Sequence, residues 1–370
     1  MGRRTVGRYV MAPLKYATVK INPMASTSLM EPLLDGTILL PNGAISGAAR
    51  RRLLHVNGVS SDRAKQQRDL NRLAELTAAH PLEIRGIHNQ THGLQADLLE
   101  SLLGKAELYQ FWPTVAANPS TGDRRRAYAK LLEPLIRLEL EDDADILAMA
   151  QPPHLQNRPL STESAATLSS LLALPFLQRL GWSEFAQYLY GAFPAGAPRP
   201  TLRLAYEIVK GLQAGAEVYV VAHSQGLIIT ALACHIVREL LLPQTKWMET
   251  VHIIGYGPVI LFADLPVELQ SRTILVQHRQ DVVAETLSNL RNPDGWTNIQ
   301  TQLQKALHYA EDLLQTVNND SHHTASFYLG LRPEAASQRS AQLLQILLTQ
   351  NWQATPSLSA LGGSRIILEH

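Results

Sequence analysis

The sequence predicts an α/β fold, a mostly parallel sheet covered by helices on both faces. Short apolar, strand-like runs alternate with stretches at helical spacing in both halves of the chain. The halves are separated by a long segment in which that alternation stops. Capacity is a third indication: 370 residues, 45% of them hydrophobic, are enough to bury one large core.

In chain order, Ala17–Ile21 and Thr37–Leu40 read as short strands, the second ending at a turn-prone Asn42-Gly43. Arg52–Asn57 is an apolar run stopped by Gly58. A helix over Asp62–Ala79 follows, with Leu70, Leu73 and Leu76 on one stripe. Leu82–His88 reads as the next strand and Leu94–Leu103 as the next helix. The pattern resumes with a helix at Leu202–Leu212, a strand at Glu217–Ala222 and a helix at Leu227–Leu241. Thr250–Ile254 and Thr273–Gln277 are two further strands. Strands alternating with helices predict parallel pairing, because each crossover returns the chain to the same edge.

This divides the chain into the N-terminal part of a core (1–104), a helical insertion or lid (105–200), and the C-terminal part of the core (201–367). The insertion is interrupted by Pro152-Pro153, Pro175, Pro194, Pro198 and Pro200. It is rich in large apolar side chains over Leu171–Phe193, including Trp182 and Phe185. An insertion of this length is expected either to pack as a subdomain or to cover a site, and Trp182 and Phe185 are then candidates to line or cover an apolar pocket.

Lys and Arg nearly balance Asp and Glu, for a net charge of +1. No global basic field favours nucleic acid as a partner, and Arg124–Arg125–Arg126 reads as a solvated face. The single cysteine, Cys234, excludes an internal disulfide, and its apolar neighbours predict a buried thiol. Arg3, Arg4 and Arg8 are followed by no apolar secretory segment, and Met1-Gly2 lacks the Ser or Thr that myristoylation needs. The expectation is a cytoplasmic chain that at most touches a lipid surface transiently. Residues 218–237 carry no Asp, Glu, Lys or Arg, yet His223-Ser224-Gln225-Gly226 splits them, which argues against a transmembrane span. Leu368-Glu369-His370 resembles the stub of a tag and is set aside from the fold.

The run Val218-Tyr219-Val220-Val221-Ala222-His223-Ser224-Gln225-Gly226-Leu227 carries the chemistry. A serine is a weak nucleophile unless held clear of its neighbours and beside a base. A strand running into a tight turn and then a helix does this, and it demands small residues two before and two after the serine. Here these are Ala222 and Gly226. The following helix turns its N–H groups toward the serine, where they can stabilise developing negative charge.

On these residues the chain resembles the α/β-hydrolases of the lipase and carboxylesterase type, over roughly 50–104 and 201–330. Ala222 stands where the family usually has its first glycine. The resemblance implies a serine hydrolase with no cofactor or metal, acting on a small-molecule or lipid ester through an acyl-enzyme, with Ser224 as nucleophile. One oxyanion donor would be the N–H of Gln225. The other would come from Val56-Asn57-Gly58-Val59, with Val59 as donor and Asn57 in place of the family's histidine. The family order of Ser, acid, His leaves Asp264 and Asp281 as acids after strand ends, of which Asp281 has the usual place. The base would then come from His322 or His323, since His308 falls in an expected helix (Ile299–Thr316). A tyrosine five residues on, Tyr328, selects His323. The strand that usually precedes this histidine is not visible.

Other readings are weaker. His88 and His92 have a helical metal-pair spacing but lack the accompanying glutamate, and Gly255-Tyr256-Gly257 lacks a dinucleotide fingerprint's third glycine. An acyltransferase or thioesterase would use the same triad, and a non-catalytic hydrolase-fold binding protein is the alternative from another class. Acyl length, head group and oligomeric state are not written in the sequence.

Overall fold

A computed structural model describes residues 36–43, 50–80, 82–91, 198–241, 245–288, 322–352 and 354–369, with single positions between 97 and 132. The strands are β1 (Ile38–Leu39), β2 (Arg51–Val56), β3 (Glu83–Ile87), β4 (Glu217–His223), β5 (Val251–Tyr256), β6 (Thr273–His278) and β7 (Ser364–Leu368). They form one sheet in the order β1-β3-β2-β4-β5-β6-β7. Only β1 is antiparallel to its neighbour; every other pair is parallel. The main helices are α1 (Arg63–Leu76), α2 (Pro198–Gln213), α3 (Gln225–Leu241), α4 (Val267–Gln270), α5 (Val282–Ser288), α6 (Ala325–Tyr328), α7 (Ala335–Thr349) and α8 (Pro356–Leu361).

Two apolar clusters sandwich the sheet. On one face Leu54, Val56, Val218, Val220, Ala222 and Ile253 pack with α2 and α3. On the other, Leu53, Tyr219, Val221, Ile254, Tyr256 and Val276 pack with α1, α6 and α7. Alternate residues of one strand therefore feed opposite cores, which is why β4 and β5 read as continuous apolar runs rather than alternating ones.

The strand order places the site. From β2 the chain crosses by α1 to β3 on one side, whereas from β4 it crosses by α3 to β5 on the other. Right-handed crossovers running in opposite directions put their helices on opposite faces, as α1 and α3 are. The carboxyl ends of β2 and β4, side by side with Val56 opposite Ala222, thus form a topological switch point. In open sheets of this kind, such a point is where diverging loops are expected to leave a crevice.

The expected elements that fall on described residues are present, with ends shifted by a few residues; the expected helix Leu94–Leu103 lies mostly outside the described residues. Pro198 and Pro200, expected to break the chain, instead lie in the first turn of α2, where a missing N–H removes no intrahelical bond. The neighbour of β6 is β7, which follows the candidate histidines in the chain rather than preceding them. Leu368 must be corrected from a bystander to a member of the fold: it pairs with His278, and its carbonyl accepts the Arg279 N–H. Cys234 is buried, and burial pushes its thiol up to about 12. Ala17–Ile21, Arg124–Arg125–Arg126, Trp182, Phe185 and His308 lie outside the described residues, as does most of the insertion. No described helix is long and apolar enough to cross a membrane.

One polar residue sits awkwardly in this core. Asp69 on α1 is buried, and burial raises its carboxyl to about 7 against the nearby Arg68 and Lys65 charges. A folded-state value above the unfolded one means the unfolded chain releases this proton first, so stability falls as pH rises from about 4 to about 7. Asp69→Asn is therefore expected to stabilise the protein by a few kcal/mol at pH 8 and by much less at pH 4. Urea unfolding at the two pH values measures this, and an equal effect at both would refute it.

Candidate active site

Ser224 occupies the turn between β4 and α3 with φ of +49°, a left-handed conformation that non-glycine residues rarely adopt. Its N–H donates to the Tyr256 carbonyl at 3.3 Å, and its own carbonyl accepts the Leu227 N–H at 2.9 Å. Glycine is required on both sides of this turn. A Cβ on Gly226 would lie 2.5 Å from the Val56 carbonyl oxygen, and one on Gly58 would lie 2.8 Å from the Ser224 Cβ. The β2 loop and the serine turn are therefore in backbone contact.

His323 bridges the serine to a carboxylate. Its Nε2 is 2.8 Å from Ser224 Oγ, while its Nδ1 is 2.9 and 3.0 Å from the two oxygens of Asp281. Burial pushes the Asp281 carboxyl up, but the His323 ring, the Tyr328 hydroxyl and the Ala284 N–H together outweigh it and hold it below the usual carboxylate range. An ionised carboxylate only accepts, so Nδ1 carries the proton and Nε2 presents its lone pair to the serine hydroxyl. Asp281 also caps α5, accepting the Ala284 N–H at 2.8 Å. One carboxylate thus starts a helix and orients an imidazole.

The residues that fix these groups were not singled out by the sequence. Tyr328 donates to Asp281 Oδ2 at 2.7 Å and accepts the His278 N–H at 2.9 Å, joining β6, the acid and α6. His223, next to the serine, donates from Nε2 to the His323 carbonyl at 2.6 Å and stacks on Tyr256 at 5.1 Å. Burial, with His323 beside it, pushes His223 down to about 3, so the ring is neutral. The signal for Tyr328 was its spacing from His323, used only to choose between histidines. His223 offered none beyond its position.

The alternatives fall elsewhere. His322 stacks flat on His278, with ring centres 4.3 Å apart, and Asp264 caps the turn at Leu261, accepting its N–H at 2.8 Å. His88 is bonded to Gln66, and His92 lies outside the described residues. Among the described residues no group of three or more His, Cys, Asp or Glu side chains is placed to hold a metal ion.

Both expected oxyanion positions border the serine. Val59 follows Gly58, and Gln225 opens α3, whose first-turn N–H groups point out of the helix end at which Ser224 sits. Asn57 links the loops: its Nδ2 donates to the Asn89 carbonyl at 2.7 Å, and its Oδ1 accepts the Asn89 N–H at 2.8 Å. Asn89 Nδ2 in turn donates to Gln225 Oε1 at 2.7 Å. No family model, curated protein or solved structure matches this chain.

Tyr328→Phe removes a donor from a buried carboxylate and the acceptor of a buried N–H. It is expected to lower unfolding stability by about 2–3 kcal/mol and to raise the Asp281 pKa. Chemical denaturation and carboxyl NMR titration check the two effects, and an unchanged Asp281 titration would count against the bond.

Proposed function

We propose that the chain is a serine hydrolase of the α/β-hydrolase kind, cleaving carboxylic esters through an acyl-enzyme. The observation that carries this reading is the continuous line Asp281–His323–Ser224, with every link at 3.0 Å or less. The switch-point position and the left-handed serine turn support it.

In the proposed reaction His323 Nε2 takes the Ser224 proton as Oγ attacks the ester carbonyl carbon. The carbonyl oxygen gains the negative charge, facing the N–H groups of Val59 and Gln225. Collapse of this intermediate expels the alcohol, which leaves with the proton from His323. Water, deprotonated by the same imidazole, then attacks the acyl-serine; the acid departs and Ser224 regains its proton. Asp281 keeps Nδ1 protonated and stabilises the imidazolium at each stage. Lipid-like acyl esters are the proposed substrates, on the strength of the apolar composition of residues 171–193.

The test joins labelling to turnover. A fluorophosphonate should modify Ser224, p-nitrophenyl esters should be hydrolysed, and Ser224→Ala should abolish both while melting near wild type. Retained turnover in that variant sinks the reading. His323→Ala should lower kcat by at least ~10³-fold, and His322→Ala far less; the reverse order would move the base to His322.

A further inference from the structure

We propose that Asp97 is a positioning residue for the oxyanion donors, an inference that rests on the hydrolase reading above. Ser60, immediately after Val59, has φ of +54°, the other non-glycine left-handed residue among those described. Such a backbone persists only where its surroundings over-determine it. Ser60 is gripped at both ends: its N–H donates to Asp97 Oδ2 at 2.8 Å, and its carbonyl accepts from Lys65 Nζ at 2.7 Å. The same Asp97 oxygen accepts the Thr91 hydroxyl at 2.6 Å. A charged acceptor makes the Ser60 bond stronger than a neutral one would.

Asp97 also reaches the second donor. Its carbonyl accepts from Gln225 Nε2 at 3.4 Å, and Gln225 Oε1 accepts from Asn89, which is bonded twice to Asn57. Asn57 precedes Gly58 and Val59 and donates to the Gly58 and Ser61 carbonyls. The bonds run Asp97–Ser60 and Ser61–Asn57–Asn89–Gln225–Asp97, closing into a ring through the Ser60–Ser61 peptide, with Asn57, Asn89, Asp97 and Gln225 all at least 97% buried. It ties together the loops after β2 and β3 and the start of α3. Val59 and Gln225 are the two residues whose N–H groups must converge on one oxygen; Gln225 lies on this ring, and Val59 stands between Gly58 and Ser60, both of which the ring holds.

A device that aims oxyanion donors acts on the transition state more than on the bound ester, because the full charge develops only there. Asp97→Asn in the full chain, with active sites counted by fluorophosphonate titration, should lower kcat about 10–100-fold and leave KM within about twofold. Affinity for an alkyl boronic acid, which binds the serine as a tetrahedral anion, should fall in parallel. Adding Ser60→Gly should recover much of the loss, because glycine takes the left-handed backbone without strain. Thr91→Val should show a smaller loss of the same kind, and decides the matter if Asp97→Asn does not fold. Unchanged kcat and boronate affinity in an active background, or a loss appearing only in KM, overturns the inference alone. A wild-type chain that neither turns over esters nor is labelled at Ser224 removes the hydrolase reading and this inference with it.

Discussion

Everything at the site depends on holding Ser224 in a backbone conformation that a free chain would avoid. A non-glycine residue at φ of +49° costs on the order of 1–3 kcal/mol relative to its relaxed state. The stabilisation comes from the elements that the turn joins. β4 lies between β2 and β5, with six of its seven residues buried, and α3 is buried along most of its length. Both are anchored in packing that would be lost if the turn relaxed. The price appears in the sequence as Gly226, where any side chain would collide with the end of β2 and the loop that follows it.

Placing the histidine is a separate problem, since His323 lies 99 residues after Ser224. Its loop is fixed by contacts to strands on which the other two groups stand. His223, the last residue of β4, holds the His323 carbonyl. Tyr328, one turn on, holds Asp281 and the end of β6. His322 and Phe327 pack on the His278 ring. His323 is therefore positioned by its backbone and its neighbours, and the bonds to Ser224 and Asp281 form in a frame that is already set.

Local signals made the core half of this arrangement legible. Strands that run fully apolar because both faces are buried, and helices with a regular stripe, read directly from Leu53–Val56, Val218–Ala222 and Leu70–Leu73–Leu76. Ser224 was legible through the strand–turn–helix pattern, and Asp281 and His323 through the residue order and tyrosine spacing that the family resemblance implies. What stayed hidden was long-range. The partners of Asp281 and His323 are set by sheet order, which no spacing encodes, so Tyr328 and His223 carried no catalytic pattern of their own. β7 was missed because Ser364–Leu368 is an edge strand with a mixed polar and apolar pattern, and because its end resembled a tag. Pro198 and Pro200 misled for a different reason: a proline opposes a helix interior but suits its first turn.

Four other histidines surround the proposed base, and their environments explain why they do not compete with it. His55 is bonded to the Tyr256 hydroxyl, and burial lowers it to about 3. His223 is bonded to a peptide carbonyl and is lowered to about 3. On β6, His278 Nδ1 accepts the Gln280 N–H, and His322 stacks on that ring. Only His323 has a carboxylate on one nitrogen and a serine hydroxyl on the other. Burial is the largest cause of the low value at His223, and the His323 ring is the next. The coupling has a direction that suits the proposed reaction: a neutral His223 places no second positive charge beside the imidazolium that His323 would become in it. Under the proposed reading, roles at this site follow partner and burial rather than residue type, and the ring beside Ser224 supports His323 by remaining uncharged.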